Sequence, residues 1–443
     1  MSFATIRSLV SVTFILLSLR VVANPTPTSI VTVADLPVQA AFTVPIQKIV
    51  NTTGGINIAQ SGRARWSSSQ KVFLQPPPAQ PGTSVNATNQ VITYTMKLGV
   101  GSGTYQDMIV DTGSSNTWVG ANYSNPYEPS EQSSSTYGIV QVTYGSGLMF
   151  GREIIDIVNL APGFTIEGQS IGSAIFAFGF NGFDGIAGFG PVDLTKGTVT
   201  ALLPPSGNSQ TVATLMNNIH AQTGIPEILG VYFAPEGLSS ENGQLAFGGI
   251  DQSKIVSGGI GGVFPTSGQY WGVPSTNFEY GNTSIGGQQT CIADTGTTFL
   301  YMSSDAFQGY QNLTGATLDS TTGLLYITSD QYSNLKNLNI NIAETVRIIV
   351  LELSIANLPH IISQMKQFYL TPNAQIFPRA LNKGIGGDPN KIYLVAASSG
   401  TGSGSDLNCI IGLVFLERWY SFYNTQNQTI GFWQTSLTNA NTN

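Results

Sequence analysis

Residues 109–118 read Ile-Val-Asp-Thr-Gly-Ser-Ser-Asn-Thr-Trp, and residues 291–300 read Cys-Ile-Ala-Asp-Thr-Gly-Thr-Thr-Phe-Leu. Each stretch sets a short apolar run, typical of a buried strand, before Asp-Thr-Gly and hydroxyl residues after it. The two aspartates, Asp111 and Asp294, are 183 residues apart, a separation that matches the length of an ordinary domain. The sequence therefore predicts two related lobes, each of which offers one carboxylate.

Composition narrows the class of protein. The 443 residues are enough for two domains with sizeable cores. Only 9% are charged, whereas glycine (50 residues), serine and threonine are abundant and the apolar runs are short, so we expect an all-β chain with short peripheral helices. The net charge of −7 argues against a nucleic-acid partner. Two histidines, His220 and His360, leave little room for histidine chemistry.

The N-terminus has the layout of a secretory signal peptide. Arg7 precedes an apolar run over residues 9–19, and the small residue Ala23 ends the segment, which places the signal at residues 1–23. A membrane anchor is the weaker alternative because the run is short and Arg20 interrupts its end. We expect a secreted, extracellular product that is free of the membrane after signal removal. Six glycosylation sequons agree with secretion, and only some are expected to carry sugar: Asn51, Asn86, Asn122, Asn282, Asn312 and Asn427.

Residues 24–80 differ in charge from the rest of the chain. Positions 24–78 hold four basic residues and one acidic residue, whereas the chain from residue 79 onward holds 11 basic and 23 acidic residues. This contrast predicts a propeptide that is held to the acidic body by charge, with a disordered tail as the alternative. The proline-rich stretch at 75–82 then forms an exposed linker that is suited to cleavage.

Several local patterns organise the body of the chain. Residues 91–100 predict a strand, and residues 140–150 predict a hairpin with its glycines at the tip. Apolar spacing predicts a helix over 212–220, and an aromatic run predicts a late helix over 415–423. Strands at 230–233 and 244–247 flank the predicted lobe boundary, which gives an N-terminal lobe at 81–240 and a C-terminal lobe at 241–443.

Two facing carboxylates can hydrolyse an amide without a covalent intermediate. One acts as base on a shared water while the other polarises the carbonyl and passes a proton to the leaving nitrogen. Like charges so close cannot both ionise cheaply, so we expect the pair to hold one proton. A lone Asp-Thr-Gly is usually a surface turn, but duplication argues against that interpretation. The flanking residues fall into matched pairs: Gly113 and Gly296 for tight turns, Thr112 and Thr295 for hydrogen bonds across the pair, and Ser114 and Thr297 as donors to the outer carboxylate oxygens.

The order of the motifs resembles that of the pepsin-like aspartic proteases. Asp-Thr-Gly at 111, Tyr-Gly-Ser-Gly at 144–147, Phe-Asp-Gly-Ile-Ala-Gly at 183–188 and Asp-Thr-Gly at 294 follow one another as in that family. The resemblance runs from about residue 85 to the C-terminus. It implies a bilobal β fold with a cleft between the lobes, catalysis by Asp111 and Asp294, no cofactor and no metal. It also implies polypeptide substrates, inhibition by the protein's own propeptide and by pepstatin-type compounds, and a monomer.

The resemblance also assigns residues around the cleft. Tyr144 corresponds to the tyrosine of the family's flap, with its hydroxyl directed at Trp118, and the backbone of Gly145 and Ser146 would bind substrate as an added strand. Phe183 and Ile186 match an apolar pocket wall, although either could simply belong to the core. Residues 186–188 and 410–412 resemble the strands that brace the two loops. Leu413 follows where pepsin-type enzymes often carry aspartate.

Two features stay open at the level of sequence. Cys291 and Cys409 lie just before elements that the fold brings together, so they either form a disulfide or remain buried thiols. Residues 346–366 have no match in the resemblance. Without them 340–345 would join 367–371 as a strand pair. This predicts either a retained intron or a surface insertion in the form of a short helix interrupted at Pro359.

The predicted function is a secreted aspartic endopeptidase that is made as a zymogen and acts at acid pH. The alternative is a catalytically silent binding or inhibitor protein of the same fold, but such proteins commonly lose a residue of the pair or the flap, and none is lost here. A metal or serine hydrolase is disfavoured because the sequence has no zinc-type histidine pair and no nucleophile elbow.

Overall fold

Four β-sheets form the framework of the described chain, and their strands are numbered β1 to β25 in chain order. The computed structural model describes residues 38–50, 59, 92–144, 147–200, 211–235, 243–348, 360–405 and 407–443. The predicted signal peptide, most of the predicted propeptide and Gly145 and Ser146 lie outside the described residues. We call residues 92–235 the first half of the body and residues 243–443 the second half.

A nine-stranded sheet carries Asp111 and is built almost entirely from the first half, in the order β10-β6-β7-β8-β5-β9-β4-β3-β2. Its long strands alternate buried and exposed residues, because one face packs on the core and the other meets solvent. The strand bounds are β2 Gln47–Val50, β3 Ile92–Val100, β4 Gly103–Asp111, β5 Trp118–Val119, β6 Ser134–Tyr144, β7 Gly147–Ala161, β8 Phe164–Phe178, β9 Gly185–Gly188 and β10 Val199–Thr200.

A seven-stranded sheet leads to Asp294 and is built from the second half, in the order β20-β19-β14-β15-β23-β16-β22. Its bounds are β14 Gly272–Tyr280, β15 Thr283–Ala293, β16 Leu300–Met302, β19 Leu338–Ile348, β20 His360–Leu370, β22 Ala396–Ser398 and β23 Cys409–Ile411. A small sheet lies in the same half, with β17 Thr317–Leu318, β18 Leu325–Ile327 and β21 Ile392–Tyr393.

A six-stranded sheet joins the two halves, in the order β1-β12-β11-β24-β25-β13. Because β11 belongs to the first half and pairs with β12 and β24 of the second, the halves share one hydrogen-bond network, and residues 31–443 form one compact unit. The edge strand β1 comes from the predicted propeptide. The bounds are β1 Phe42–Pro45, β11 Ile228–Phe233, β12 Gly243–Phe247, β13 Gly261–Pro265, β24 Trp419–Asn424 and β25 Thr429–Gln434.

The helices of the described chain are short: α1 Leu215–Thr223, α2 Ser304–Thr314, α3 Ser329–Ser333 and α4 Leu413–Leu416. The helix predicted over 212–220 begins later, because Thr214 caps it by accepting from the Asn217 N–H while the Asn217 side chain bonds back to the Thr214 N–H. It ends at Gly224, which has a φ of 72°. Short 3₁₀ turns occupy Val192–Thr195, Gln252–Lys254, Asn373–Gln375 and Arg379–Ile385.

The late helix predicted over 415–423 was wrong. The helical turn ends at Leu416, and Trp419–Asn424 forms the central strand β24 with every residue buried. Side chains alternate across it: Tyr423 packs in the main core, whereas Tyr420 and Phe422 pack in a separate cluster on the other face. A run of aromatic residues that is buried on both faces favours a strand in the middle of a sheet.

The unmatched segment 346–366 contributes to a long hairpin. β19 and β20 pair without a break from Leu338↔Leu370 to Ile348↔His360, and residues 349–359, including Pro359, lie outside the described residues. The described ends of this insertion therefore form strands and not the suggested helix. Without the segment, Asn341↔Gln367 would be closed by the four residues 342–345, an ordinary length for a hairpin loop.

Two buried carboxylates anchor loops, one in each half. Burial alone would raise the pKa of Asp156, but hydrogen bonds from Ser130, Tyr127 and the Ile157 N–H lower it below the usual value. Burial would also raise the pKa of Asp319, but hydrogen bonds from Lys391 (2.8 Å), Tyr393 (2.7 Å) and backbone N–H groups lower it below the usual value. The two anchors differ in one respect, since a cation contacts Asp319 directly.

Candidate active site

Asp111 and Asp294 follow strands that are braced in the same way. β4 ends at Asp111, and β9 runs parallel to it with Gly188 opposite Asp111. β15 ends one residue before Asp294, and β23 runs parallel to it with Ile411 opposite Ala293. Both aspartates are buried, with exposed fractions of 0% and 2%. The duplicated motif therefore corresponds to a duplicated structure.

Four buried hydrogen bonds tie the two loops together. The Thr112 hydroxyl accepts from the Thr295 N–H (3.0 Å) and donates to the Ala293 carbonyl (3.1 Å). The Thr295 hydroxyl accepts from the Thr112 N–H (2.9 Å) and donates to the Val110 carbonyl (2.7 Å). We call this arrangement the threonine interlock. Each threonine satisfies backbone groups of the opposite loop, so the two loops form one unit.

Each carboxylate is oriented by one N–H and one O–H donor on separate oxygens. Oδ1 of Asp111 accepts from the Gly113 N–H (3.1 Å) and Oδ2 from the Ser114 hydroxyl (2.6 Å). Oδ1 of Asp294 accepts from the Gly296 N–H (2.8 Å), and its Oδ2 accepts from the Thr297 hydroxyl (2.6 Å). Charge-assisted bonds of this length fix the plane of each carboxylate.

The second carboxylate lies directly against the first loop. A methyl group added at Gly113 would lie 2.6 Å from Oδ1 of Asp294, closer than such atoms ever approach. Glycine is therefore required at this position by contact with the opposite aspartate. Together with the interlock, this contact brings Asp111, Asp294 and the six supporting residues of the two loops into one site.

Comparison with known proteins agrees with this geometry. The family model for eukaryotic aspartyl protease matches residues 93–369. Polyporopepsin from Irpex lacteus is 43% identical over 368 residues, which cover 81% of this chain and 99% of that protein. The crystal structure of the aspartic proteinase from Irpex lacteus superposes with a TM-score of 0.68 at 42% identity, over 79% of this chain and 96% of that one. Gastricsin from Suncus murinus is 28% identical over 77% of this chain and 81% of its own.

The chain belongs to the eukaryotic aspartyl proteases. It is an aspartic endopeptidase with the bilobal pepsin-like fold, in which strands predominate and the helices are few and short. As in other pepsin-like proteases, its substrates are polypeptides.

The hairpin of β6 and β7 carries the tyrosine that the family resemblance assigns to the flap. Tyr144 pairs with Gly147 across the hairpin, and its hydroxyl accepts from the Trp118 indole N–H at 2.7 Å. The ring of Phe180 packs edge-on against both aromatic rings, at 4.9 and 5.2 Å. Phe180 was missed at the sequence level, where it stands in no motif. Gly145 and Ser146 lie outside the described residues.

Phe183 and Ile186 are buried in the cluster behind Trp118. Their exposed fractions are 5% and 2%, and they pack with Met149 and Tyr144. Of the two interpretations that the sequence left open, this arrangement agrees with a core role. A role for them as a pocket wall stays a prediction, since it requires the cluster to open toward substrate.

Cys291 and Cys409 form a disulfide. They stand opposite each other in the parallel register of β15 and β23, so the bond braces the strand that leads to Asp294. Leu413, at the position where pepsin-type enzymes often carry aspartate, is buried, and its N–H donates to the Thr297 carbonyl at 2.8 Å. The substitution thus preserves a backbone contact with the second loop.

The four described sequon asparagines are all exposed: Asn122, Asn282, Asn312 and Asn427. The Asn122 side chain also donates to Asp184 at 3.2 Å. Asn51 and Asn86 lie outside the described residues. Within the described ranges, no His, Cys, Asp and Glu side chains form a group of three or more suited to a metal ion. In the same part of the chain, the helices are too short or too polar to cross a membrane.

Proposed function

We propose that this endopeptidase is made as a secreted zymogen and hydrolyses peptide bonds at acid pH through Asp111 and Asp294. The observation that carries the proposal is the symmetric site, in which each carboxylate receives matched donors and the interlock joins their loops. A protein that only binds peptides has no need for two buried carboxylates held in register.

The chemistry follows from the shared environment of the two aspartates. At acid pH the pair holds one proton, because two adjacent negative charges repel each other. The ionised carboxylate takes a proton from a water as that water attacks the peptide carbonyl, and the protonated carboxyl donates to the carbonyl oxygen. The tetrahedral intermediate collapses when a proton reaches the nitrogen, which leaves as an amine. The pair again holds one proton at the end.

The hairpin of β6 and β7 supplies the substrate-binding part of the proposal. A peptide that lies along it would pair with its backbone as an added strand, and the hairpin would cover the scissile bond. The bond between Trp118 and Tyr144 fixes the end of β6. The flap has no acidic residue, so we propose cleavage between bulky apolar residues.

The leader, proposed as residues 24–80, is supported by contacts of its described part. β1 pairs with β12 and β2 pairs with β3, so the segment belongs to two sheets of the body. Lys48 lies 3.4 Å from Glu417 with both side chains under 10% exposed, and Tyr94 donates to the same carboxylate. Acid removes the charge of carboxylates, so it weakens such pairs and favours release of the leader. The lobes then comprise residues 81–240 and 241–443.

The test compares the full-length protein with its Asp294→Asn variant at pH 3–4, with and without pepstatin. The wild type is expected to lose mass by cleavage near residue 80 and to digest a protein mixture, and pepstatin should block both. Asp294→Asn should lower the rate by at least about 100-fold, the usual minimum effect of a general acid or base. Asp330→Asn, at an exposed position of α3, is the matched control. Equal rates for wild type and Asp294→Asn would refute the proposed mechanism.

A further inference from the structure

A pocket of about 470 Å³ lies beside the small sheet of the second half, and none of its residues belongs to a motif that identifies the family. It is formed by residues 318–321, 326, 386–388 and 391. Leu318 ends β17, Tyr326 lies in β18, and Lys391 directly precedes β21. Sites for small ligands commonly measure about 300–1,000 Å³, so the pocket is large enough to hold one.

One hydrogen-bond network holds the two loops of the pocket in place. Lys391 and the Tyr393 hydroxyl donate to Oδ2 of Asp319 at 2.8 and 2.7 Å. The Asp388 N–H donates to the same tyrosine hydroxyl at 3.0 Å. In addition, the buried Asn382 side chain donates to the carbonyls of Asp388 and Lys391 at 3.0 and 2.8 Å. The lining is therefore fixed before a ligand binds, which lowers the entropic cost of binding.

The lining offers both hydrogen-bond donors and hydrogen-bond acceptors. The Lys391 side chain is 31% exposed and its ammonium has three N–H groups, so a donor remains after its bond to Asp319. Asp388 is exposed, and its carboxylate has room for further bonds besides the one that it accepts from the Asn390 N–H. A ligand that both donates and accepts can therefore satisfy the two charged groups at once.

The charges and the polarity of the pocket exclude several classes of ligand. Asp319 neutralises Lys391 and Asp388 adds a negative charge, which disfavours an anion, whereas the ammonium itself disfavours a cation. Only Leu318 and Tyr326 bring large apolar side chains, so a lipid would leave polar groups unpaired. The class that fits is a neutral ligand with many hydroxyls, since each hydroxyl can donate to Asp388 or accept from Lys391.

The proposed leader passes next to this pocket. Its strand β2 pairs with β3 in the first half, whereas the Ala59 N–H donates to the Thr322 carbonyl in the second half at 3.3 Å. Thr322 directly follows residue 321 of the pocket. A polypeptide that crosses between the halves can thus bring a group that it carries to the mouth of the pocket.

We propose that this pocket binds carbohydrate, with the hydroxyls of a sugar unit bonded to Lys391 and Asp388 and its C–H face packed on Leu318 beside Tyr326. The sugar belongs either to a free polysaccharide or to a glycan on a polypeptide substrate, and the two sources present the same chemistry. The site is separate from the catalytic pair, and it holds the endopeptidase at a sugar-bearing target while the pair hydrolyses the peptide bond.

The first arm of the test titrates the full-length protein at neutral pH with soluble oligosaccharides of glucose, mannose and N-acetylglucosamine. At least one of them should bind with a Kd of about 1 mM or lower, the range of a small ligand with few hydrogen bonds. Asp388→Ala and Lys391→Met each remove a bond to a charged group, so each should weaken binding by about 10-fold or more. Asp330→Ala, the matched control, removes an exposed carboxylate of α3 and should bind as wild type does.

The second arm distinguishes the two sources of the sugar. It compares the KM of the active enzyme for a glycosylated peptide with the KM for the same peptide without sugar. A lower KM for the glycosylated peptide that is lost in Asp388→Ala assigns the pocket to glycans on substrates. Equal KM values, together with binding of a free oligosaccharide, assign it to polysaccharides.

The proposal is overturned if no oligosaccharide binds and the two KM values are equal, or if Asp388→Ala binds sugar as tightly as wild type. Binding of the bare peptide that depends on Asp388, with no binding of sugar, would show a peptide subsite instead. If Lys391→Met does not fold, Asp388→Ala decides alone. The titration needs no hydrolysis, so its outcome is independent of the proposed function.

Discussion

The two Asp-Thr-Gly loops are nearly identical in hydrogen bonding but differ in how their strands are braced. In the second half, Cys291 and Cys409 stand opposite each other three residues before Asp294 and Gly412, and a disulfide joins them. In the first half, the corresponding pair is Met108 and Gly185, in the same parallel register before Asp111 and Gly188. One register is thus held covalently and the other by packing alone.

Packing explains why the first half has no cross-link at this position. A side-chain carbon at Gly185 would lie 2.0 Å from the Trp118 carbonyl, because β5 is the antiparallel neighbour of β9 in the sheet and places Val119 opposite Gly185. Any residue with a Cβ at position 185 would push β5 away. This strand carries Trp118, whose indole donates to the Tyr144 hydroxyl. The geometry of the pair is thus duplicated, whereas each half stabilises it by the means that its neighbouring strand allows.

Breaking the two braces is expected to have the largest effect on stability. Cys291→Ala with Cys409→Ala should lower the free energy of unfolding by about 3–5 kcal/mol, since the bond closes a loop of 118 residues. Gly185→Ala should destabilise the first half to a similar degree because its clash is with backbone. Denaturant unfolding of the full-length protein at neutral pH measures both, with Gly402→Ala, at an open loop position, as the control for Gly185. A Gly185→Ala variant as stable as that control would contradict the argument.

The threonine interlock offers a test of symmetry. Thr112→Val and Thr295→Val each remove two buried hydrogen bonds and orphan two backbone groups of the opposite loop, so each should cost about 2–4 kcal/mol. Because the four bonds are distinct, the two costs should match. The same unfolding assay applies, and a difference of more than about 1.4 kcal/mol, a tenfold change in the equilibrium constant, would show that the loops are not equivalent.

The loop anchors Asp156 and Asp319 should have a smaller, pH-dependent effect. Both have pKa values lowered by folding, so their stabilisation is present above the unfolded value of about 4 and is lost as pH falls through the folded value. Replacement of either by Asn should cost about 1–3 kcal/mol at pH 6 and less at pH 2.5, with the larger cost at Asp319, which Lys391 contacts. Thermal unfolding at both pH values, in the Asp294→Asn background to prevent self-cleavage and with Asp330→Asn as reference, checks this; a cost that grows on acidification would have the wrong sign.

The features that the sequence predicted correctly depend on residues that lie only a few positions apart. The two Asp-Thr-Gly loops, the strand over 91–100 and the hairpin over 140–150 were predictable because turn residues and alternation act within a few positions. The helix predicted over 415–423 was wrong because aromatic residues suit both a helix and a central strand. Only the pairing with β11 and β25 decides between the two. The state of Cys291 and Cys409 depends on strand register across more than a hundred residues, which no local pattern encodes.

The two described strands of the proposed leader have a consequence for the stored protein if the leader is removed as proposed. β1 and β2 are the terminal strands of their sheets, and each covers its neighbour over four residue pairs. Their removal would uncover rows of free N–H and C=O groups on β12 and β3, and such bare edges recruit other chains into aggregates. Full-length storage would therefore guard this endopeptidase against fibril-like self-association as well as against untimely digestion of its neighbours.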